Sequence, residues 1–112
     1  MPGVDSPKET VIRLMVVSGG LPEPHVNATI LNRYGAFLAL GDMVYPEFKV
    51  LVEYGGRHHF ASEEQALRDI DRLDDLMEEG WRVIRLNKTH LGRAATVMGK
   101  VRKALMDAGW RP

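Results

Sequence analysis

Apolar and polar positions alternate with a period of two from Phe48 to Tyr54. Phe48, Val50, Val52 and Tyr54 fall on one side, Lys49, Leu51 and Glu53 on the other. That is the pattern of a strand packed mainly on one face. A second extended stretch over residues 36–44 precedes it, and Tyr45-Pro46-Glu47-Phe48 supplies turn chemistry between the two. A hairpin centred between Glu47 and Phe48 sets Asp42 directly opposite Glu53. Like charges facing each other across a ladder are destabilising. The register therefore calls for a different pairing or for a positive charge between the acids, and a divalent cation is the obvious candidate.

The rest of the chain falls into elements around this hairpin. Ser6 as N-cap, Pro7 at the first helical position and Glu9 at the third predict a helix start. Val11, Ile12, Met15 and Val16 give it an apolar stripe, and Gly19-Gly20 ends it. Leu21-Pro22-Glu23-Pro24 reads as an extended connector into a strand over residues 25–33, with a turn at Tyr34-Gly35. Three strands in succession predict an antiparallel meander. Ser62 with Gln65 forms a second capping box, followed by Ala66, Ile70, Leu73, Leu76 and Met77 at helical spacing and a stop at Gly80. Asp69, Asp71, Asp74, Asp75, Glu78 and Glu79 form a solvated face of that helix. Residues 81–86 read as a strand joined by a crossover, with Trp81 in the core, and a last helix spans about residues 90–108 with Met98 and Leu105 as packing positions. Helix, three strands, helix, strand, helix predicts an α/β (α+β) layer fold, a mixed four-stranded sheet flanked by helices.

Composition narrows the chemistry. A chain of 112 residues is one domain with a core of ordinary size. Fifteen basic and fifteen acidic side chains leave no net field, so any nucleic-acid footprint must be local. The absence of cysteine removes disulfides, thiolate zinc sites and cysteine nucleophiles, leaving metal chemistry to carboxylate and imidazole. No apolar run reaches the roughly 18 residues of a spanning helix, and residues 1–20 lack signal-peptide character, so a cytoplasmic protein without membrane contact is expected.

In order and spacing, Glu9, Gly20-Leu21-Pro22-Glu23-Pro24, Asp42 with Tyr45-Pro46-Glu47, Val52-Glu53-Tyr54, Gly56-Arg57-His58-His59, Arg68-Asp69 with Arg72, and Gly80-Trp81-Arg82-Val83-Ile84-Arg85 run through nearly the whole chain. This pattern resembles the very-short-patch-repair-like endonucleases, small domains of the PD-(D/E)XK nuclease superfamily. The resemblance implies a restriction-endonuclease-like core and metal-dependent hydrolysis of DNA, either duplex or nicked and mismatched. It implies Asp42 and Glu53 as magnesium ligands, with manganese as a substitute and the Tyr54 backbone carbonyl directed at the metal. Glu9 becomes an accessory carboxylate and His59 a loop residue near the phosphate. Arg57, His58, Arg72 and Arg85 become contacts to nucleic acid, and a homodimer or fusion to a recognition domain is the implied assembly.

One position departs from that family. Where relatives read Glu-x-Asp-Gly, and the wider superfamily Glu-x-Lys, this chain reads Glu53-Tyr54-Gly55-Gly56, so the second motif acid or base is absent at Gly55. Magnesium needs only one or two protein carboxylates, but water activation and charge neutralisation lose a group. Three readings stand: a magnesium-dependent endonuclease, a nuclease-fold module that binds DNA or a partner without cutting, and a subunit-interaction protein. Each candidate also has a structural reading. Glu9 is explained by its capping box; Arg68, Arg72 and Arg85 by salt bridges with Asp69, Asp75 or other helix acids; His58 and His59 by exposure in a polar loop. A solvated helix surface accounts for the basic cluster Arg93, Lys100, Arg102, Lys103 and Arg111.

Overall fold

The alternation from residue 48 onward forms the third strand of a four-stranded sheet with both faces covered. The computed structural model describes the backbone of residues 7–54 and 62–112, and the side chains of 10–54 and 62–112. The elements are α1 (Pro7–Ser18), β1 (His25–Leu31), β2 (Phe37–Tyr45), β3 (Val50–Tyr54), α2 (Glu63–Glu78), β4 (Arg82–Leu86), a short 3-10 turn (Lys88–His90) and α3 (Ala94–Asp107). Strand order is β1-β2-β3-β4; the first three strands are antiparallel and β4 joins β3 in parallel through the α2 crossover. The domain is thus an α/β layer fold with a mixed sheet and three helices, as its pattern predicts.

The hairpin register is the one set by its turn: Met43 pairs with Val52, Val44 with Leu51 and Tyr45 with Val50. Two details differ from expectation. Tyr45 is the buried last residue of β2 and not a turn residue, its hydroxyl donating to the Pro22 carbonyl at 2.8 Å. Lys49 belongs to the turn, at a φ of 52°, and its Nζ donates to the Glu79 carbonyl at the end of α2.

Every residue of β3 is buried, so the expectation of a strand packed on one side is corrected. Val50, Val52 and Tyr54 join Ile12, Val16, Ile84, Leu86, Val97, Val101 and Leu105 in the core beneath α1 and α3. Leu51 packs on the other face with Ile30, Ala39, Val44, Leu76 and Trp81 under α2. A strand with a parallel neighbour and helices on both sides is covered on both faces, which is why Leu51, placed by the alternation on the outer side, is buried.

Helix α2 begins and ends as its sequence predicts. Ser62 Oγ accepts the Gln65 N–H at 3.2 Å. At the other end the Gly80 and Trp81 N–H groups bond the Met77 and Leu76 carbonyls, a Schellman closure that requires the left-handed φ of 89° at Gly80. Its orientation, however, corrects the predicted stripe. Leu76 is buried, whereas Ile70 and Met77, with Leu67, are exposed. The last predicted helix also divides: Asn87 caps the 3-10 turn, and α3 starts only at Ala94. β1 stops at Leu31, two residues early, because Asn32 folds the chain into a turn in which its Oδ1 accepts the Tyr34 and Ala36 N–H groups.

Candidate functional site

Asp42 and Glu53 are the buried charged residues among the described side chains, each 4% exposed. They lie where β2 and β3 part. The β2–β3 register ends at Met43 and Val52, while β2 continues against β1 as far as Phe37.

Local sequence accounts for the parting. In β2, Ala39 and Val44 belong to the core under α2, and Met43 to the core under α1 and α3. A Cβ on Gly41 would lie 2.5 Å from Val44 Cγ2 and 2.6 Å from Leu51 Cδ1, on the α2 side. The inward–outward alternation therefore shifts at Asp42, and glycine permits the close approach just before it. Opposite, in β1, Asn27 has a φ of 47°, and Val26 and Ala28 on either side of it contact different cores.

Two side chains take over hydrogen bonds at the fork. Asp42 Oδ2 accepts the Tyr54 N–H at 3.0 Å. Arg72, from α2, donates to the Leu40 carbonyl at 3.2 Å and also to Glu53 Oε1. A buried backbone donor left unmet costs about 1–3 kcal/mol, so Asp42 has structural work at the buried Tyr54 N–H, while the Arg72 bond to Leu40 is exposed.

Glu53 sits in a ring of alternating charge. Arg85, its register partner on β4, donates through Nε to Glu53 Oε2 at 3.3 Å and through Nη2 to Asp69 Oδ2 at 2.6 Å. Arg72 bridges Glu53 and lies 3.6 Å from Asp69, one turn away on α2. Two acids and two arginines balance. The ring occupies the carboxyl end of the parallel pair β3 and β4, the end at which open α/β sheets bind ligands. Leu51, Val83 and Leu76 give an apolar floor farther back on the same face.

The predicted site residues divide accordingly. Glu53, Arg72 and Arg85 converge, and Asp42 is tied in next to them through the Tyr54 N–H. Arg68 stands apart, paired with Glu64 on the exposed side of α2. Asp69, expected only as a salt-bridge partner, is a full member of the ring, whereas Asp75 is not. Gly55, Arg57, His58 and His59 lie outside the described residues, as does the Glu9 side chain.

Hard oxygen donors are what magnesium takes, and Asp42 and Glu53 carry carboxylate oxygens at the fork. Among the described residues, three carboxylates gather within 4.8 Å at Asp74, Asp75 and Glu78, exposed on α2 and not at the fork. No helix of the described chain is long and apolar enough to cross a membrane. No family model, curated protein or solved structure matches this chain.

Proposed function

We propose that this domain is a PD-(D/E)XK-type hydrolase, a magnesium-dependent DNA endonuclease of the very-short-patch-repair-like kind. The observation that carries the reading is the burial of two acids at the β2–β3 fork, Glu53 at the carboxyl end of the parallel strands and Asp42 on β2, where it accepts the N–H of Tyr54, the residue after Glu53. Buried ionisable groups at a strand-end site are where catalytic and metal-binding acids cluster.

Asp42, Glu53 and the Tyr54 carbonyl would hold magnesium, or manganese in its place, which when bound supplies Lewis-acid polarisation of a phosphate and a more acidic water. The Tyr54 N–H fixes the Asp42 carboxylate in position. Arg72 and Arg85 hold Glu53, and among the described residues they are the cations beside it that could receive a DNA phosphate. Glu9, His59, Arg57 and His58 enter through the resemblance alone, as accessory acid, proton carrier and phosphate contacts.

A second reading has its own support. Arg72 and Arg85 engage both Glu53 oxygens, neutralising the acid without a metal, and Gly55 lacks the motif acid or lysine. On that reading the domain binds nucleic acid or a partner and does not cut.

Nicking of supercoiled plasmid in magnesium or manganese against chelator separates the two. The endonuclease reading expects metal-dependent nicking by the parent. It also expects loss of nicking in Asp42→Ala and in Asp42→Asn, which keeps an acceptor for the Tyr54 N–H. Equal nicking by variant and parent refutes it. Salt-sensitive binding of intact plasmid supports the second reading, and no binding at low salt points to subunit interaction.

A further inference from the structure

Two surface cavities lie away from the acids at the fork, and neither is lined by Asp42, Glu53, Arg72 or Arg85. The first, about 490 Å³, separates the β1–β2 turn from the last turns of α2. One wall carries Tyr34 and Phe37, 85% and 67% exposed. The other carries Asp75, Glu78 and Glu79. The second cavity, about 430 Å³, continues along β1 over Ile30 and Trp81 and shares Asn32, Arg33 and Glu79 with the first. The two adjoin at these residues, where Arg33 and Glu79 form an ion pair.

The turn that presents the aromatic rings is rigidly built. Asn32 Oδ1 accepts the Tyr34 and Ala36 N–H groups, each at 2.9 Å, and the Asn32 N–H bonds the Ala36 carbonyl at 2.8 Å. These bonds fix the backbone of the turn that presents the two exposed rings, so less backbone freedom is lost when a partner binds. Opposite them, no described side chain pairs with Asp75 or Glu78, while Arg33 and Lys49 engage the neighbouring Glu79 through its carboxylate and its carbonyl.

Aromatic faces against unpaired carboxylates suit a guanidinium, which stacks on the rings while its N–H groups meet the acids. The same wall repels a phosphate backbone. We infer that the first cavity is a docking site for an arginine-bearing extended segment of a partner protein, its arginines seated between Tyr34, Phe37 and the Asp75–Glu78 wall. The inference is independent of whether the fork cleaves DNA.

The test is fluorescence anisotropy with a labelled peptide alternating arginine and serine, against a control alternating glutamate and serine. The arginine peptide binds the parent and the control does not. Tyr34→Ser with Phe37→Ser, and separately Asp75→Asn with Glu78→Gln, each weaken binding about fivefold to tenfold, while circular dichroism and thermal unfolding match the parent. Unchanged affinity in the aromatic variant overturns the proposal, since the acids alone would then be acting as a diffuse field. Binding of the glutamate peptide also overturns it. So does self-association of the parent that the aromatic variant abolishes, because the occupant would then be a second copy of the chain.

Discussion

Replacing Glu53 with glutamine removes one charge from the ring and leaves Arg72 and Arg85 facing Asp69 alone. Shape is kept, but glutamine offers one acceptor oxygen where Glu53 offers two, so one arginine also loses its hydrogen bond. Uncompensated loss of one side of a buried pair costs about 3–5 kcal/mol. Here the Arg72 and Arg85 side chains are 25% and 30% exposed, and Asp69 still balances one of them, which lowers the penalty. About 2–3 kcal/mol remains. With an unfolding entropy of about 2.1 cal/mol/K per residue, a chain of 112 residues should melt about 10 °C lower. Thermal unfolding followed by circular dichroism measures the shift. Arg72→Gln and the double variant complete a cycle in which the combined loss falls short of the sum by at least about 1 kcal/mol. A melting temperature within about 2 °C of the parent, or additivity within about 0.5 kcal/mol, would show that the ring does not couple these residues.

Burial pushes the Tyr45 hydroxyl above its ordinary value of 10.0. An acid harder to ionise when folded contributes stability that is complete below the unfolded value and is lost as pH rises past it. Chemical denaturation should therefore show stability falling above about pH 10, and Tyr45→Phe should flatten that slope while costing about 1 kcal/mol at neutral pH through the lost bond to Pro22. Leu51→Ala, in the fully buried centre of β3, should cost about 2–5 kcal/mol by urea unfolding; a loss under 1 kcal/mol would contradict the description of β3 as buried on both faces.

The hairpin register was legible because its turn was: Pro46 and the apolar positions on either side fix the partners, and one slipped residue would turn every side chain over. The crossover to β4 was legible from a capped, glycine-terminated helix followed by a short apolar run. What sequence did not reveal is the face α2 presents. Its apolar residues suggest a stripe through Ile70 and Met77, yet the helix turns Asp69, Arg72 and Leu76 to the sheet. The reason lies on β3 and β4, where Glu53 and Arg85 stand beside each other at the strand ends and select charged partners from the helix above. A one-dimensional pattern records which residues are apolar, not which charges await them across a crossover. The parting at Asp42 was hidden in the same way, since a glycine and a left-handed asparagine on two different strands produce it together.

Opposed carboxylates at the fork first suggested a cation as the means of keeping them together. The structure provides another means: the Tyr54 N–H serves Asp42, and Arg72 and Arg85 serve Glu53. The tolerance of the acids for each other therefore does not itself require a metal. On the endonuclease reading, a divalent charge would be added to a cluster already balanced, so the arginine bonds to Glu53 must loosen as it enters. Arg72 and Arg85 then become cations in need of an anion, and the phosphodiester is the one at hand. Metal and DNA should bind cooperatively, each raising the affinity for the other by the same factor. Thermal shifts with manganese, with a short duplex and with both measure this directly. The combined shift should exceed the sum of the separate shifts, and Arg72→Gln should remove much of the excess. Shifts that merely add would show that the arginines hold Glu53 in the same way whether or not the ligands are present.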